Sequence, residues 1–490
     1  MVLPLPFSIA LSAPPAAEGT ENPPSEAEEA FLLRKFPLPI PRLSAYNSLS
    51  KGENMETRTR WHVLWFLVLI SVVRSMDAVN FSVAAKQIMP TYGFSDTDIG
   101  KLYTAFTIGY ALFHLPGGWL GDTVGPRRVL TLAILWWSIF TGITAVAGEW
   151  WLATLVGPFG SFLVVRFLLG LGEGAAYPNS SRATASWMAP SERALASGLV
   201  FAGIGIGYGL APPIVSWTML HYGWQPAFYA FSGIGIVLAL LWYRFATDRP
   251  EDHPQVSAAE LQYIRGDGER IEKQPTPWRA IFTHPNVWLL MLANFGFGYG
   301  VYIYQSWFFL YLVNVRQFSI MQGGLLTTGP FIALSVLGPL GGLCSDLVAK
   351  RYGVTLGRRA IAVSGFLLAA LCVYMGAKAT NPYSSVILLS LGDGFLYFAG
   401  AASWGAIIDI AGPHSGTVYG LTVAVLQIGG AVAPTLTPMI AARFGWEAAL
   451  HVAGMLAVAS AIVWLFIDAQ RKIVPADEEM VREGQFAAVR

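Results

Sequence analysis

Apolar residues dominate this chain in long runs, and polar residues appear mainly as short punctuation between them. Runs able to cross a hydrocarbon core of roughly 30 Å lie near 62–89, 98–121, 128–148, 152–178, 194–217, 225–245, 285–314, 320–345, 358–377, 384–411, 415–442 and 446–469. In lipid every backbone polar group must be satisfied internally, so such runs fold as helices. The pattern predicts an all-α membrane protein of twelve transmembrane helices. Trp61, Trp150, Trp151, Trp224, Trp278 and Trp446 stand at predicted ends, where amphipathic rings are expected at the headgroup level.

The punctuation repeats. Gly118-Trp119-Leu120-Gly121-Asp122-Thr123-Val124-Gly125-Pro126-Arg127-Arg128 has a partner in Gly342-Leu343-Cys344-Ser345-Asp346 followed by Arg358-Arg359, offset by 224 residues. Gly198-Leu199 and Gly420-Leu421, Ala211-Pro212 and Ala433-Pro434, and Gly223-Trp224 and Gly445-Trp446 are each offset by 222. The duplication predicts two pseudo-symmetric six-helix halves, 58–246 and 285–470, with a site between them near the bilayer midplane. Residues 247–284 form a charged linker, in which Ser257-Ala258-Ala259-Glu260 reads as a capping box.

Composition agrees. Of 490 residues, 54% are hydrophobic and 12% charged, against roughly 25% charged in soluble domains. The net charge of +1 gives no electrostatic case for nucleic acid. Cys344 and Cys372 have no metal or redox spacing and read as small core residues. Arginines and lysines concentrate in one set of loops, including Arg58, Arg60, Arg127, Arg128, Arg193, Arg249, Arg279, Lys350, Arg351, Arg358, Arg359, Arg471 and Lys472. The positive-inside rule then places both termini in the cytoplasm. Residues 1–57 read as a disordered cytoplasmic tail or a mis-assigned start, with Met55 as a natural beginning; 471–490 read as a second cytoplasmic tail.

Ionisable residues within spans default to function. They are Arg74, Asp77, His114, Arg166, Glu173, Asp393 and Asp409. Arg166 and Glu173 are seven apart, so they share one inward face about 10 Å apart along the axis. A buried arginine is an always-charged fork suited to a carboxylate. Burial and a neighbouring arginine push a carboxyl in opposite directions, so the pair reads as a proton switch operated by an anionic substrate. Arg74 and Asp77 repeat the arrangement in the first span. Tyr110, Tyr302, Gln305 and Trp307 are candidates to line the cavity. Asp393 reads as a buried, hydrogen-bonded acid, His114 as a helix-contact histidine, and Asp409 as support or substrate contact. Gly203, Gly205, Gly207 and Gly209 read as helix-packing positions.

Over 58–470 the chain resembles the major facilitator superfamily and, within it, the anion:cation symporters. The paired Gly–Asp–Arg turns carry the general likeness. Arg166-Phe167-Leu168-Leu169-Gly170-Leu171-Gly172-Glu173-Gly174-Ala175-Ala176-Tyr177-Pro178, Gly109-Tyr110, Trp307, Tyr311-Leu312, Asp409-Ile410-Ala411 and the Pro250–Glu260 stretch carry the narrower one. The resemblance implies that Asp77 and Glu173 handle protons. It also implies that the turns bearing Asp122, Arg127, Arg128, Asp346, Arg358 and Arg359 act as latches on one access state. Two positions depart: Ala78 stands where the family has arginine, leaving Arg74 one turn earlier as a substitute, and Val423 stands where it often has asparagine. The expected function is proton-coupled symport of a small organic anion, such as a sugar acid or another carboxylate, across the cell (inner) membrane. Arg166 and Arg74 would hold the anion. No cofactor, metal or catalytic residue is expected, and a monomer is. Sodium-coupled or exchange transport of phosphate or another anion, and a non-transporting sensor, stay open as alternatives.

Overall fold

The computed structural model describes residues 57–265 and 276–473. The expected 1–57 tail (apart from Thr57), part of the linker and most of the 471–490 tail lie outside them. The described residues are helical and form, in order, α1 (Thr59–Tyr92), α2 (Asp96–Val124), α3 (Pro126–Thr144), α4 (Trp151–Gly174), α5 (Ala176–Trp187), α6 (Arg193–Tyr222) and α7 (Gln225–Phe245). After the short linker helices α8 (Ala258–Arg265) and α9 (Trp278–Thr283) come α10 (Pro285–Leu310), α11 (Ile320–Leu326), α12 (Thr328–Tyr352), α13 (Val354–Lys378), α14 (Pro382–Ala411) and α15 (Ser415–Trp464).

Nine helical stretches among these residues are long and apolar enough to cross a membrane. The last, α15, breaks at Gly445 into two rods. With α2 and α3, whose charged ends dilute their apolar centres, the spans number twelve, as the pattern predicts. The duplication is visible in the backbone: Gly223 and Gly445 take φ of 86° and 85°, and Gly125 and Gly353 take 99° and 96°. A left-handed conformation of this kind favours glycine, so each repeated turn preserves the residue that makes it possible.

Several boundaries differ from expectation. The span predicted over 152–178 ends at Gly174, and a separate helix, α5, continues to Trp187. The span predicted over 285–314 ends as regular helix at Leu310. A wider turn over Tyr311–Val315 follows, closed by Arg316 N donating to Tyr311 O at 3.1 Å. Trp224 stands at a span end as expected, but its ring is buried against Phe162 and Phe228. Trp151 and Trp278 are exposed, as expected of interfacial rings. Cys372 is buried and Cys344 half-buried, both as free thiols.

Glycines set how closely the helices approach. Gly109 and Gly117 of α2 face Phe167 O and Ala175 of the α4 region, and Gly170 and Gly174 face Phe106 O and Tyr110 O of α2. A Cβ at any of these four would strike its neighbour, so α2 and α4 meet backbone to backbone. In the α6 stripe, Gly203 and Gly207 press on Val68 O and Val72 O of α1, while Gly205 faces Ser335 of α12.

The two halves join at the end opposite the arginine-rich loops. Thr104 Oγ1 donates to Ala431 O at 2.6 Å and lies 2.8 Å from Thr435 Oγ1, and Lys86 Nζ donates to Asn314 Oδ1 at 2.5 Å. Among the described residues, every side-chain hydrogen bond between 57–246 and 285–473 lies at this end. Ile88, Ile99, Leu102 and Val215 of the first half share a core there with Phe309, Leu310 and Val313 of the second. At the arginine-rich end, the rings of Phe201 and Trp404 approach to 6.3 Å, and both are exposed.

The linker is anchored by one acid. Buried Glu260 accepts hydrogen bonds from Thr57 Oγ1 at 2.6 Å, Arg60 N at 3.0 Å and Thr59 N at 3.1 Å, and lies 3.3 Å from Arg60 Nη1. Burial opposes its ionisation, yet these donors together outweigh burial and hold its carboxyl below the ordinary value.

Two outcomes follow. Glu260→Gln should loosen α8 from α1 by about 1–3 kcal/mol, read as faster hydrogen exchange in 258–265. The ionised form makes the bonds, so this anchoring is complete above the ordinary glutamate value of about 4.3. It is lost as pH falls through the lower folded value; exchange independent of pH in that range would refute it. Gly100 packs against the Pro434 carbonyl, so Gly100→Val should disfavour the joined end by about 1–3 kcal/mol. Spin labels at exposed Thr91 and Gln317 should then move apart, and an unchanged distance would count against this closure.

Candidate functional site

The polar centre is built from α1, α2, the α4–α5 break and α6, facing α10, α14 and α15. Because α2 and α4 touch through glycines, the side chains of α4 between those contacts have fixed directions, and Glu173 points at α1. It is fully buried, and its Oε2 lies 2.9 Å from Nε of Arg74. Arg74 Nη1 also donates to Tyr177 Oη at 3.1 Å. Its guanidinium stands 4.8 Å from the Tyr177 ring and 5.0 Å from that of Tyr110. Tyr208 on α6 and Tyr302 on α10 lie within electrostatic range of the same guanidinium. Tyr302 Oη donates to Gln427 Oε1 of α15 at 3.2 Å. Arg74 is therefore a cation in a cage of tyrosines drawn from both halves.

The expected pairing of Arg166 with Glu173 is not what the structure holds. The partner of Glu173 is Arg74, one turn before the position where the resemblance puts an arginine. Arg166 is 0% exposed, against 6% for Arg74. Its guanidinium sits 4.5 Å from the Phe81 ring and 4.7 Å from the Phe106 ring. None of its three side-chain nitrogens has a hydrogen-bond partner among the described residues. The two residues share a helix face as predicted, but nearly two turns separate them, and Arg74 crosses from α1 to fill the gap.

Asp77 is likewise fully buried and makes no ion pair with Arg74. Its Oδ1 accepts from Asn80 Nδ2 at 3.3 Å, and Oδ2 has no partner among the described residues. Arg166 and Glu173 both lie within its electrostatic range. Two arginines and two acids thus form a balanced quartet with only one direct pair.

Tyr110 and Tyr302 fall at this centre, and half-buried Gln305 lies one turn beyond Tyr302 on α10. Trp307 does not join them. It is fully buried, donates Nε1 to Pro434 O at 3.0 Å and packs on Trp446, so its one donor is already used. Sequence reasoning missed Tyr177, Tyr208 and Gln427. Tyr177 sits inside the Gly-Glu-Gly-Ala-Ala-Tyr-Pro motif, which was the available signal; nothing local marks the other two.

Residues 67–356 and 317–487 match the Major Facilitator Superfamily. The chain belongs to that superfamily. This facilitator is 32% identical over 427 residues to the probable sulfoacetate transporter SauU of Cupriavidus necator, covering 86% of this chain and 97% of the relative. It is 30% identical over 435 residues to the probable galactarate/D-glucarate transporter GarP of Escherichia coli K12, covering 84% and 94%. Among solved structures, a bacterial homolog to the human lysosomal transporter Spinster, inward-facing and occupied, is similar with a TM-score of 0.70. At 17% identity, over 85% of this chain and 98% of that one, it shows the fold. The superfamily is one of membrane transporters, not enzymes.

The repeated turns of the facilitator hold together differently from one another. Asp122 pairs with Arg182 of α5, not with either arginine of its own turn. Arg127 instead donates through N to Asp248 Oδ1 at 2.8 Å and through Nη2 to Tyr243 O at 2.6 Å, fastening α3 to the end of α7. Arg128 is exposed. In the second copy Arg358 bridges Asp346 at 2.6 Å and Asp409 at 2.8 Å, and Arg359 Nη2 donates to Ile467 O at 2.8 Å. Asp409, left open between support and substrate contact, is thus a member of this latch. Each latch lies wholly within its own half, at the arginine-rich end. Arg358→Ala should release two acids together and lower stability by about 1–2 kcal/mol, whereas Arg128→Ala should change it little. Equal thermal shifts in the two variants would contradict the bridge.

Proposed function

We propose that this facilitator carries a small organic anion across the membrane together with protons, by alternating access between its halves. The observation that carries the reading is the buried Arg74–Glu173 pair inside the tyrosine cage. A buried ion pair is poised: removing one partner leaves a charge whose isolation costs about 3–5 kcal/mol. An incoming carboxylate or sulfonate takes the Arg74 fork. Glu173, stripped of its cation, then becomes neutral by accepting a proton. Anion and proton therefore occupy the site together, and release of one favours release of the other. Asp77 is the proposed second proton-handling group, and Arg166 holds the field of both acids from behind the Phe81 and Phe106 rings.

The names of the relatives, a sulfoacetate transporter and a galactarate/D-glucarate transporter, support an anion of this size and charge. Tyr110, Tyr177, Tyr302, Gln305 and Gln427 supply hydroxyl and amide groups suited to a hydroxylated acid. The latch residues Asp122, Arg182, Asp346, Arg358 and Asp409 are proposed to hold each half rigid as it rocks. The excess of arginine in one set of loops favours that face as cytoplasmic, with both termini on it, in a cell membrane.

The test uses purified protein in proteoliposomes with internal pH recorded while candidate acids are added outside. Substrate should acidify the lumen in wild type. Glu173→Gln should abolish that acidification and proton-driven uptake while retaining exchange. Arg74→Ala should weaken binding by about 2–5 kcal/mol, roughly 30-fold to several thousand-fold. Uptake without acidification, dependent instead on sodium or on internal substrate, would replace this reading with sodium coupling or exchange.

A further inference from the structure

The proposed mechanism leaves one buried acid unused. Asp393 lies at the middle of α14, in the half that contributes neither Asp77 nor Glu173. It is 1% exposed, and its Oδ1 has no hydrogen-bond partner among the described residues. Among the described residues it makes no ion pair, whereas Glu173 lies 2.9 Å from Arg74.

Its neighbours come from α10, α12 and α13 and from α14 itself. From α10 comes Tyr304, whose hydroxyl also has no partner among the described residues, and from α13 comes Cys372 behind it. From α12 come Ala333 and Leu337, beside the neighbouring Gly394. On α14 itself, Ser390 and Tyr397 lie three residues before and four after, on the same face. Tyr397 is within electrostatic range of Asp393 and also of Tyr208, Tyr302 and Tyr177, the tyrosines around Arg74.

A carboxylate sealed in an apolar bundle without a cation is too costly to keep ionised. A hydrogen-bonded structural acid would have its oxygens satisfied, yet here Asp393 Oδ1 and the Tyr304 hydroxyl both lack partners among the described residues. A hydrocarbon or amide side chain would serve packing better than this one.

We propose that Asp393 is a further proton carrier, placed in the second half and linked to the Arg74 cage through Tyr397. In the conformation described here the carboxyl holds its proton. When the halves rock, α14 shifts against α10 and α12, water reaches the group, and the O–H bond breaks with the proton passing to water. The carboxylate keeps that water as the halves return, and reprotonation from water on the other side closes the cycle, with one proton moved and no other bond changed. Each anion is then accompanied by one proton more than the Glu173 site alone supplies.

This inference rests on the proton-symport reading, and the experiment separates the two. Proteoliposomes are given radiolabelled D-glucarate or sulfoacetate as probe, and protons and acid entering are counted together. In parallel, infrared difference spectra of the purified protein are recorded for the carbonyl band of a protonated carboxylic acid. Asp393→Asn should lower the proton-to-acid ratio by one, Asp393→Glu should restore it, and the infrared band should be present in wild type and lost in Asp393→Asn. If Asp393→Asn does not fold, Asp393→Ser takes its place. An unchanged ratio in the folded variant overturns the inference while leaving symport intact. Uptake by wild type without acidification overturns symport itself. A protonated-acid band that persists unchanged in the variant overturns the role of Asp393 whether or not either probe is transported.

Discussion

The rest of the structure is arranged around one buried ion pair, Arg74 with Glu173 at 2.9 Å. Two charges taken out of water are stable only while they hold each other, and lipid offers neither a substitute. The helices must therefore place them with little freedom. Gly109, Gly117, Gly170 and Gly174 do this by letting α2 and α4 touch along their backbones. The result is a fixed carboxylate on one helix and an arginine reaching it from another. Such a pair is strong when complete and unstable when one partner is removed.

The surrounding tyrosines give this pair its setting. Tyr110 and Tyr177 present ring faces to Arg74, and Tyr177 also accepts a hydrogen bond from it. Tyr208 and Tyr302 complete the ring of phenols. Phenols stabilise a guanidinium without neutralising it, so Arg74 keeps its full charge within the cage. Arg166 is treated differently: closed between phenyl rings, it contributes charge to the interior but little surface. Two arginines, in the first and fourth spans, thus have distinct environments, and burial rather than residue type separates them.

Duplication set the frame, and the two copies then diverged in what they bind. The repeated turns share their positive-φ glycines, because the backbone path is the same in both. Their ion pairs do not match. Asp122 reaches forward to Arg182, while Asp346 shares Arg358 with Asp409. The second copy places more sequence between its aspartate and its arginines, so Arg358 arrives at a different height and meets α14. Turn geometry is inherited with the glycine; side-chain partners depend on which helix end happens to stand opposite.

The sequence by itself determined the twelve spans, their repeat and the short set of charged residues that had to face inward. Those follow from solvation alone, since neither a bare peptide group nor an unpaired charge is tolerated in lipid. It also brought Arg74 forward as a substitute for the arginine missing at Ala78, because one helical turn preserves a face. Only the tertiary structure decided which arginine meets Glu173, because that choice depends on the distance between α1 and α4 and not on spacing within α4. It also withdrew Trp307 from the site, assigned Asp409 to a latch, and gathered Tyr208 and Gln427 from helices with no local mark of function. Partners that lie far apart in the chain are chosen by how closely helices can approach, and that distance is a property of the packed bundle.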